Sequence, residues 1–350
     1  MDVFVCRGCG SALTAPLSPV ALPAHAHQSV GHVMLPPLME PGTYAVDPAP
    51  SGAPWRWEGI GEAEAEAQGV FAPVGSVSFG ARGRTVVAPG DTRGTVLIPE
   101  KCDGDCFGPD GRDGPNLACE RCGLPVATRI DDCSLWQAVW LEPDAVRPEP
   151  AGEPAPPPLG WEGMTWHSYS TPPFAPEDTW HYRWQAAAGS ALAHLLVASD
   201  GGPLTLPEGP VMDLFGRAVA RLLPPGPAAK SVALAGPGPR APGTAVPVPD
   251  IALVPRHPRT GEPWQPPSDA TVAVPLAIEV WAHLALPRET SPRPMSGRLP
   301  DGVLRDDYPL PDHPWRLFEP DQKVFRHTLA RLPAVRQPWL RALYDGRTTP

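Results

Sequence analysis

Two nine-residue stretches of the chain carry the same ligand-bearing pattern, Cys6-Arg-Gly-Cys9-Gly10-Ser-Ala-Leu13-Thr14 and Cys119-Glu-Arg-Cys122-Gly123-Leu-Pro-Val126-Ala127. Each reads Cys-x-x-Cys-Gly followed by a short strand-like run. Glycine after the second cysteine suits a chain that must turn with φ > 0, so that backbone N–H groups can face thiolate sulfur. Two such knuckles supply four thiolates, the donor set of a closed tetrahedral Zn2+ site. Four thiolates leave no position for water, so a zinc held this way is structural and contributes folding free energy rather than chemistry.

The seven cysteines are Cys6, Cys9, Cys102, Cys106, Cys119, Cys122 and Cys133. The internal similarity of the knuckles favours pairing Cys6 and Cys9 with Cys119 and Cys122. This pairing resembles the zinc-ribbon class, in which two similar hairpin knuckles face each other across one ion. The resemblance covers only the two nonamers, and 109 residues lie between Cys9 and Cys119. Loop-closure cost grows only logarithmically with length, which makes so long an insertion tolerable. A competing local pairing, Cys102-x3-Cys106-x12-Cys119-x2-Cys122, also has finger-like spacing. Cys102, Cys106 and Cys133 leave a second site open, but three cysteines still need a fourth ligand. Cys133 alone reads as a small buried hydrophobe. His25, His27 and His32 offer ligands at strand spacing, although exposed histidines in a Pro-rich loop are the simpler reading.

Other chemistry is weaker. Asp110-Gly-Arg-Asp113-Gly-Pro-Asn116 lacks the alternating carboxylates and closing glutamate of a calcium loop and reads as a turn feeding the second knuckle. Residues 113–133 look like a segment of uncharacterised proteins from GC-rich bacteria, a resemblance that carries no function. Pro249-Asp250 followed by Ile278-Glu279-Val280 faintly resembles the metal site of restriction-type nucleases. That resemblance implies Mg2+ held by Asp250 and Glu279 on neighbouring strands, but Trp281 stands where a lysine belongs. The simpler reading starts a strand at Asp250 and pairs Glu279 with an arginine such as Arg256. No serine elbow, phosphate loop or dinucleotide fingerprint occurs.

The elements that must position these residues are short. Proline numbers 53 of 350 residues, about three times its ordinary share of roughly 5 per cent. Because proline removes a backbone donor and is barred from helix interiors, loops and edge strands should abound. Composition divides the chain near residue 150, giving a β-rich zinc-binding domain over 1–142, a Pro-rich polyproline-like linker over 143–160 and an α+β domain over 161–350. Strands are expected at Ser76–Phe79, Thr85–Ala88, Thr95–Ile98 and Trp136–Trp140, with a short helix over Glu62–Gln68. Trp136 and Trp140 share one strand face, which suits core packing. Downstream, helices are expected from Asp178 to Gly201, from Val211 to Leu223 and from Asp321 onward. Ser231–Ala235, Asp250–Val254 and Thr271–Leu286 read as strands or buried runs, and Pro287–Pro314 as a long loop ending near Trp315, Leu317 and Phe318.

The formal charge of −10 opposes a general affinity for nucleic acid or anionic membrane. Between Glu100 and Cys133, Lys101, Arg112, Arg121 and Arg129 face eight acidic residues, a poor phosphate groove. No apolar run is long enough to span a membrane. The N-terminus has neither a basic region nor an apolar signal core, which points to the cytoplasm, where paired cysteines hold metal more often than they form disulfides. The fold class expected is α+β, and the function expected is a non-enzymatic interaction or scaffold protein with a protein partner. A nuclease-like metal enzyme using Asp250 and Glu279 is the alternative.

Overall fold

The computed structural model describes residues 1–49, 61–72, 81–152, 157–175, 179–227, 229–237, 248–286 and 317–346. The expected strand at Ser76–Phe79, the loop Pro287–Pro314, Trp315 and the helix start at Asp178 lie outside them. The fold is α+β, and the chain divides into two compact units. The first comprises Met1–Pro158, Pro258–Gly261 and Arg326–Pro350, and the second Leu159–His257 and Glu262–Phe325.

In the first unit the strands are β1 (Asp2–Cys6), β2 (Ser18–Pro19), β3 (Thr43–Asp47), β4 (Arg84–Val87), β5 (Thr95–Leu97), β6 (Leu117–Cys119), β7 (Pro125–Ile130), β8 (Ala138–Leu141) and β9 (Val146–Pro150). Seven of them form one sheet in the order β2-β3-β4-β8-β7-β6-β5, antiparallel except for β2 against β3. The central strand β8 is buried along its whole length, as a strand paired on both sides should be. The strand expected at Trp136–Trp140 begins at Ala138, so Trp136 precedes it; Trp136 and Trp140 are nevertheless both buried, at 4% and 6% exposure. The helix α1 (Glu62–Ala67) matches its alanine-glutamate composition.

β1 and β9 form a separate antiparallel pair, with Phe4 opposite Pro148 and Cys6 opposite Val146. Part of the Pro-rich stretch expected as a linker is therefore a strand. Proline cannot donate to a ladder, and a strand paired on one side only tolerates it. The core beneath the pair joins Phe4, Leu13 and Leu17 to Leu117, Val126, Val139 and Leu141, and both Cys6 and Cys119 are part of it.

The second unit carries β10 (Leu204–Thr205), β11 (Lys230–Leu234), β12 (Ile251–Arg256) and β13 (Val272–Ala277) in one parallel sheet in that order. Helix α2 (Tyr182–Ser199) is capped by His181, whose Nδ1 accepts the Arg183 N–H, and ends where Asp200 and Gly201 turn with φ of 54° and 77°. Apolar residues surround it, which fits a buried helix. Helix α3 (Pro210–Leu222) buries Leu214, Phe215 and Val219 along one face. The run Thr271–Leu286 splits into β13 and helix α4 (Ile278–Ala285), because short apolar runs carry no period that separates strand from helix. Helix α5 (Gln322–Leu329) buries Val324, Phe325 and Leu329; its residues from Arg326 on, and α6 (Pro338–Tyr344), belong to the first unit. No described helix is long and apolar enough to cross a membrane.

Candidate metal centre

Cys6 is the last residue of β1 and Cys119 the last of β6, so each knuckle begins where a paired strand stops. The two turns repeat one another bond for bond. Gly10 N–H donates to Cys6 O and Gly123 N–H to Cys119 O, both at 2.8 Å. Cys6 N–H donates to Ser11 O at 2.9 Å, and Cys119 N–H to Leu124 O at 2.8 Å. Gly10 and Gly123 adopt φ of 74° and 75°, the left-handed region that glycine enters without strain.

These turns bring four sulfurs together. Cys6 Sγ lies 3.6 Å from Cys122 Sγ, and Cys9 Sγ 3.6 Å from Cys119 Sγ. All four sulfurs lie within 4.8 Å of one another and none is in a disulfide. A tetrahedron with metal–sulfur bonds of about 2.3 Å has edges of about 3.8 Å. The cluster is thus of a size that can hold one metal ion. Gly8 packs over it: a Cβ there would sit 3.3 Å from Cys122 Sγ and 3.6 Å from Cys6 Sγ. Cys6 and Cys119 are buried, whereas Cys122 faces solvent.

Electrostatics point the same way. The Ser11 hydroxyl and backbone N–H beside Cys9 lower its thiol to about 6. At Cys122 the Leu124 N–H works downward, but burial and the three neighbouring sulfurs outweigh it and lift the thiol to about 12. A cation among the sulfurs would favour the thiolate form at Cys122 and relieve the crowding.

The remaining cysteines lie apart from this cluster. Cys102 Sγ is 3.2 Å from the Ile98 carbonyl. Cys106 and Cys133 converge on His32, which the sequence offered only alongside His25 and His27. His25 and His27 join neither group of cysteines and are not exposed: His25 is 3% accessible and packs at a tilt against Trp136, and His27 Nε2 lies 2.7 Å from Asp47 Oδ2. The acidic loop is a turn, with Gly114 N–H donating to Gly111 O and the Asp110 carboxylate held by Arg112.

Asp250 and Glu279 do not form a shared site. Asp250 precedes β12 and accepts from Ser231 N–H and Oγ–H at 2.7 and 2.8 Å. Glu279 follows the other end of the sheet, where Arg256 pairs with Ala277. The six-residue strand between them spans roughly 16 Å, far beyond one ion's reach. Burial raises the Glu279 carboxyl, opposed by nearby Arg183 and Arg256.

Comparison of the chain with protein-family models, curated proteins and solved structures finds no match.

Proposed function

We propose that Cys6, Cys9, Cys119 and Cys122 hold one structural Zn2+, and that the protein works without catalysis, as an interaction or scaffold protein. The observation that carries the metal reading is the pair of 3.6 Å sulfur contacts between knuckles of identical backbone hydrogen bonding. An all-thiolate donor set suits Zn2+ over the harder Mg2+ and Ca2+, and it leaves the ion coordinatively closed. The ion would tie the N-terminal strand to the β6–β7 hairpin.

Support for an interaction role comes from the surface of the first unit. β5 is the terminal strand of the seven-stranded sheet, and Val96 and Leu97 on it are 45% and 51% exposed. An apolar edge strand offers backbone groups and side chains for another chain to pair with. Phe107, on the loop after β5, is 71% exposed.

Two measurements test these readings separately. Chelation under reducing conditions should lower the melting temperature, and added Zn2+ should restore it; equal melting with and without zinc contradicts a structural ion. Capture of partners from the native cell should yield a protein that V96K/L97K loses while its melting temperature is unchanged. A partner set indifferent to that change contradicts the β5 edge as the surface.

A further inference from the structure

His32, Cys106 and Cys133 come from three different loops, between β2 and β3, β5 and β6, and β7 and β8. His32 Nδ1 lies 3.5 Å from Cys106 Sγ and 3.6 Å from Cys133 Sγ, and the three ligand atoms fall within 4.8 Å of one another. For a tetrahedral ion with metal–nitrogen bonds of about 2.05 Å and metal–sulfur bonds of about 2.3 Å, the nitrogen–sulfur edge is about 3.6 Å. We propose that these residues form a second Zn2+ site, with three protein ligands and a fourth position open to solvent.

The loops are built to hold the cysteines in place. The Asp132 carboxylate accepts backbone N–H groups from Asp105 at 2.7 Å, Cys106 at 3.1 Å, Phe107 at 2.6 Å and Cys133 at 2.8 Å. One buried side chain therefore fastens both cysteine-bearing segments, the kind of outer support that orients metal ligands. The segment before Cys106 is folded so tightly that a Cβ on Gly104 would fall 1.7 Å from the Gly108 carbonyl oxygen. Such a loop carries glycine by necessity, and it delivers Cys106 to a fixed place.

The open position follows from Cys102. It is the sequence's obvious fourth ligand, yet its sulfur is engaged with the Ile98 carbonyl and stands outside the cluster. His32 and Cys106 are exposed while Cys133 is buried, so the fourth tetrahedral direction is accessible to water or to a small donor such as imidazole. Two thiols and a neutral imidazole binding Zn2+ release two protons, and the two thiolate charges balance the ion's. This is the coordination type that exchanges a ligand, in contrast to the closed four-thiolate site.

Metal-free, reduced full-length protein titrated with Co2+ tests the assignment. Two equivalents should bind, both with sulfur-to-cobalt charge-transfer absorption, and added imidazole should perturb the visible bands of one equivalent only. C106S and H32A should each bind one equivalent, C102S two, and C6S/C9S should keep the imidazole-sensitive one. Wild-type protein that takes a single equivalent, or C106S that still takes two, overturns the site. Loss of an equivalent in C102S, or indifference to imidazole, overturns the open position. The wild-type stoichiometry and the imidazole response need no variant to fold.

Discussion

At the scale of single residues, the account rests on what each side chain does to its neighbours' charge and backbone. Four sulfurs within 4.8 Å repel as thiolates, and one dication removes that repulsion. Cys6→Ser and Cys119→Ser delete ligands that are fully buried, so each should cost the ion and several kcal/mol of stability, of the order set by structural zinc binding. Zinc content and melting temperature should fall together. Glycine separates strain from clash: Gly123 has φ of 75° with open space around its missing Cβ, so Gly123→Ala should cost about 1 kcal/mol. Gly104→Ala meets a carbonyl oxygen and should cost well over that, read as a larger fall in urea midpoint. At Asp132 burial works upward but the four backbone N–H donors prevail, and they hold the carboxyl down to about 2. Its folded value lies below the unfolded one, so its contribution is complete above about pH 4 and fades as pH falls toward 2. Asp132→Asn should flatten that acid limb in a pH series of urea midpoints.

At the scale of elements, α5 brings His327 against His27, with ring centroids 4.2 Å apart, and His27 stacks in turn on Trp140 and bonds to Asp47. Desolvation, then His27, then Arg331 push His327 well below its ordinary value. Because the folded value is depressed, the unfolded chain binds the extra proton first, and stability should decline as pH drops through about 6.5. His327→Phe should remove that decline, measured as the wild-type-minus-variant difference in melting temperature between pH 7.5 and 5.5. An unchanged difference would contradict the depressed histidine.

The elements also show what the sequence made legible. The knuckles were readable because their ligands and turn glycines sit within five consecutive residues, and α2 because its apolar spacing persists for five turns. β9 was hidden by Pro148 and Pro150, which argue for a linker until β1 is known to need a partner. His32 could be read only as one of three loop histidines, and its partners were hidden, because 74 and 101 positions separate it from Cys106 and Cys133 and only the loop geometry joins them. Asp250 and Glu279 read as neighbours because the nuclease resemblance placed them on adjacent strands; the parallel register puts them at opposite ends, with Glu279 on the helix that follows.

At the scale of the molecule, the chain leaves the first unit after Pro158, returns to it over Pro258–Gly261 and rejoins it from Arg326. Phe71 N–H donates to Ala330 O at 2.7 Å, Arg336 pairs with Glu66, and Leu329, Val335 and Leu340 are fully buried. Deleting residues 326–350 should therefore destabilise the first unit, because each buried aliphatic side chain contributes about 1.5–3 kcal/mol. Limited proteolysis should show cleavage within residues 1–152 that the full chain resists. The first knuckle would close a larger circuit still, with residues 10–118 held as one excursion between ligands of the same ion. The direct test of that closure is elemental analysis of three variants, C6S/C9S, C119S/C122S and the combination of all four changes. Shared ligation predicts that each pair costs one zinc per chain and that combining them costs no more; losses that add, or zinc fully retained in either pair variant, would contradict it.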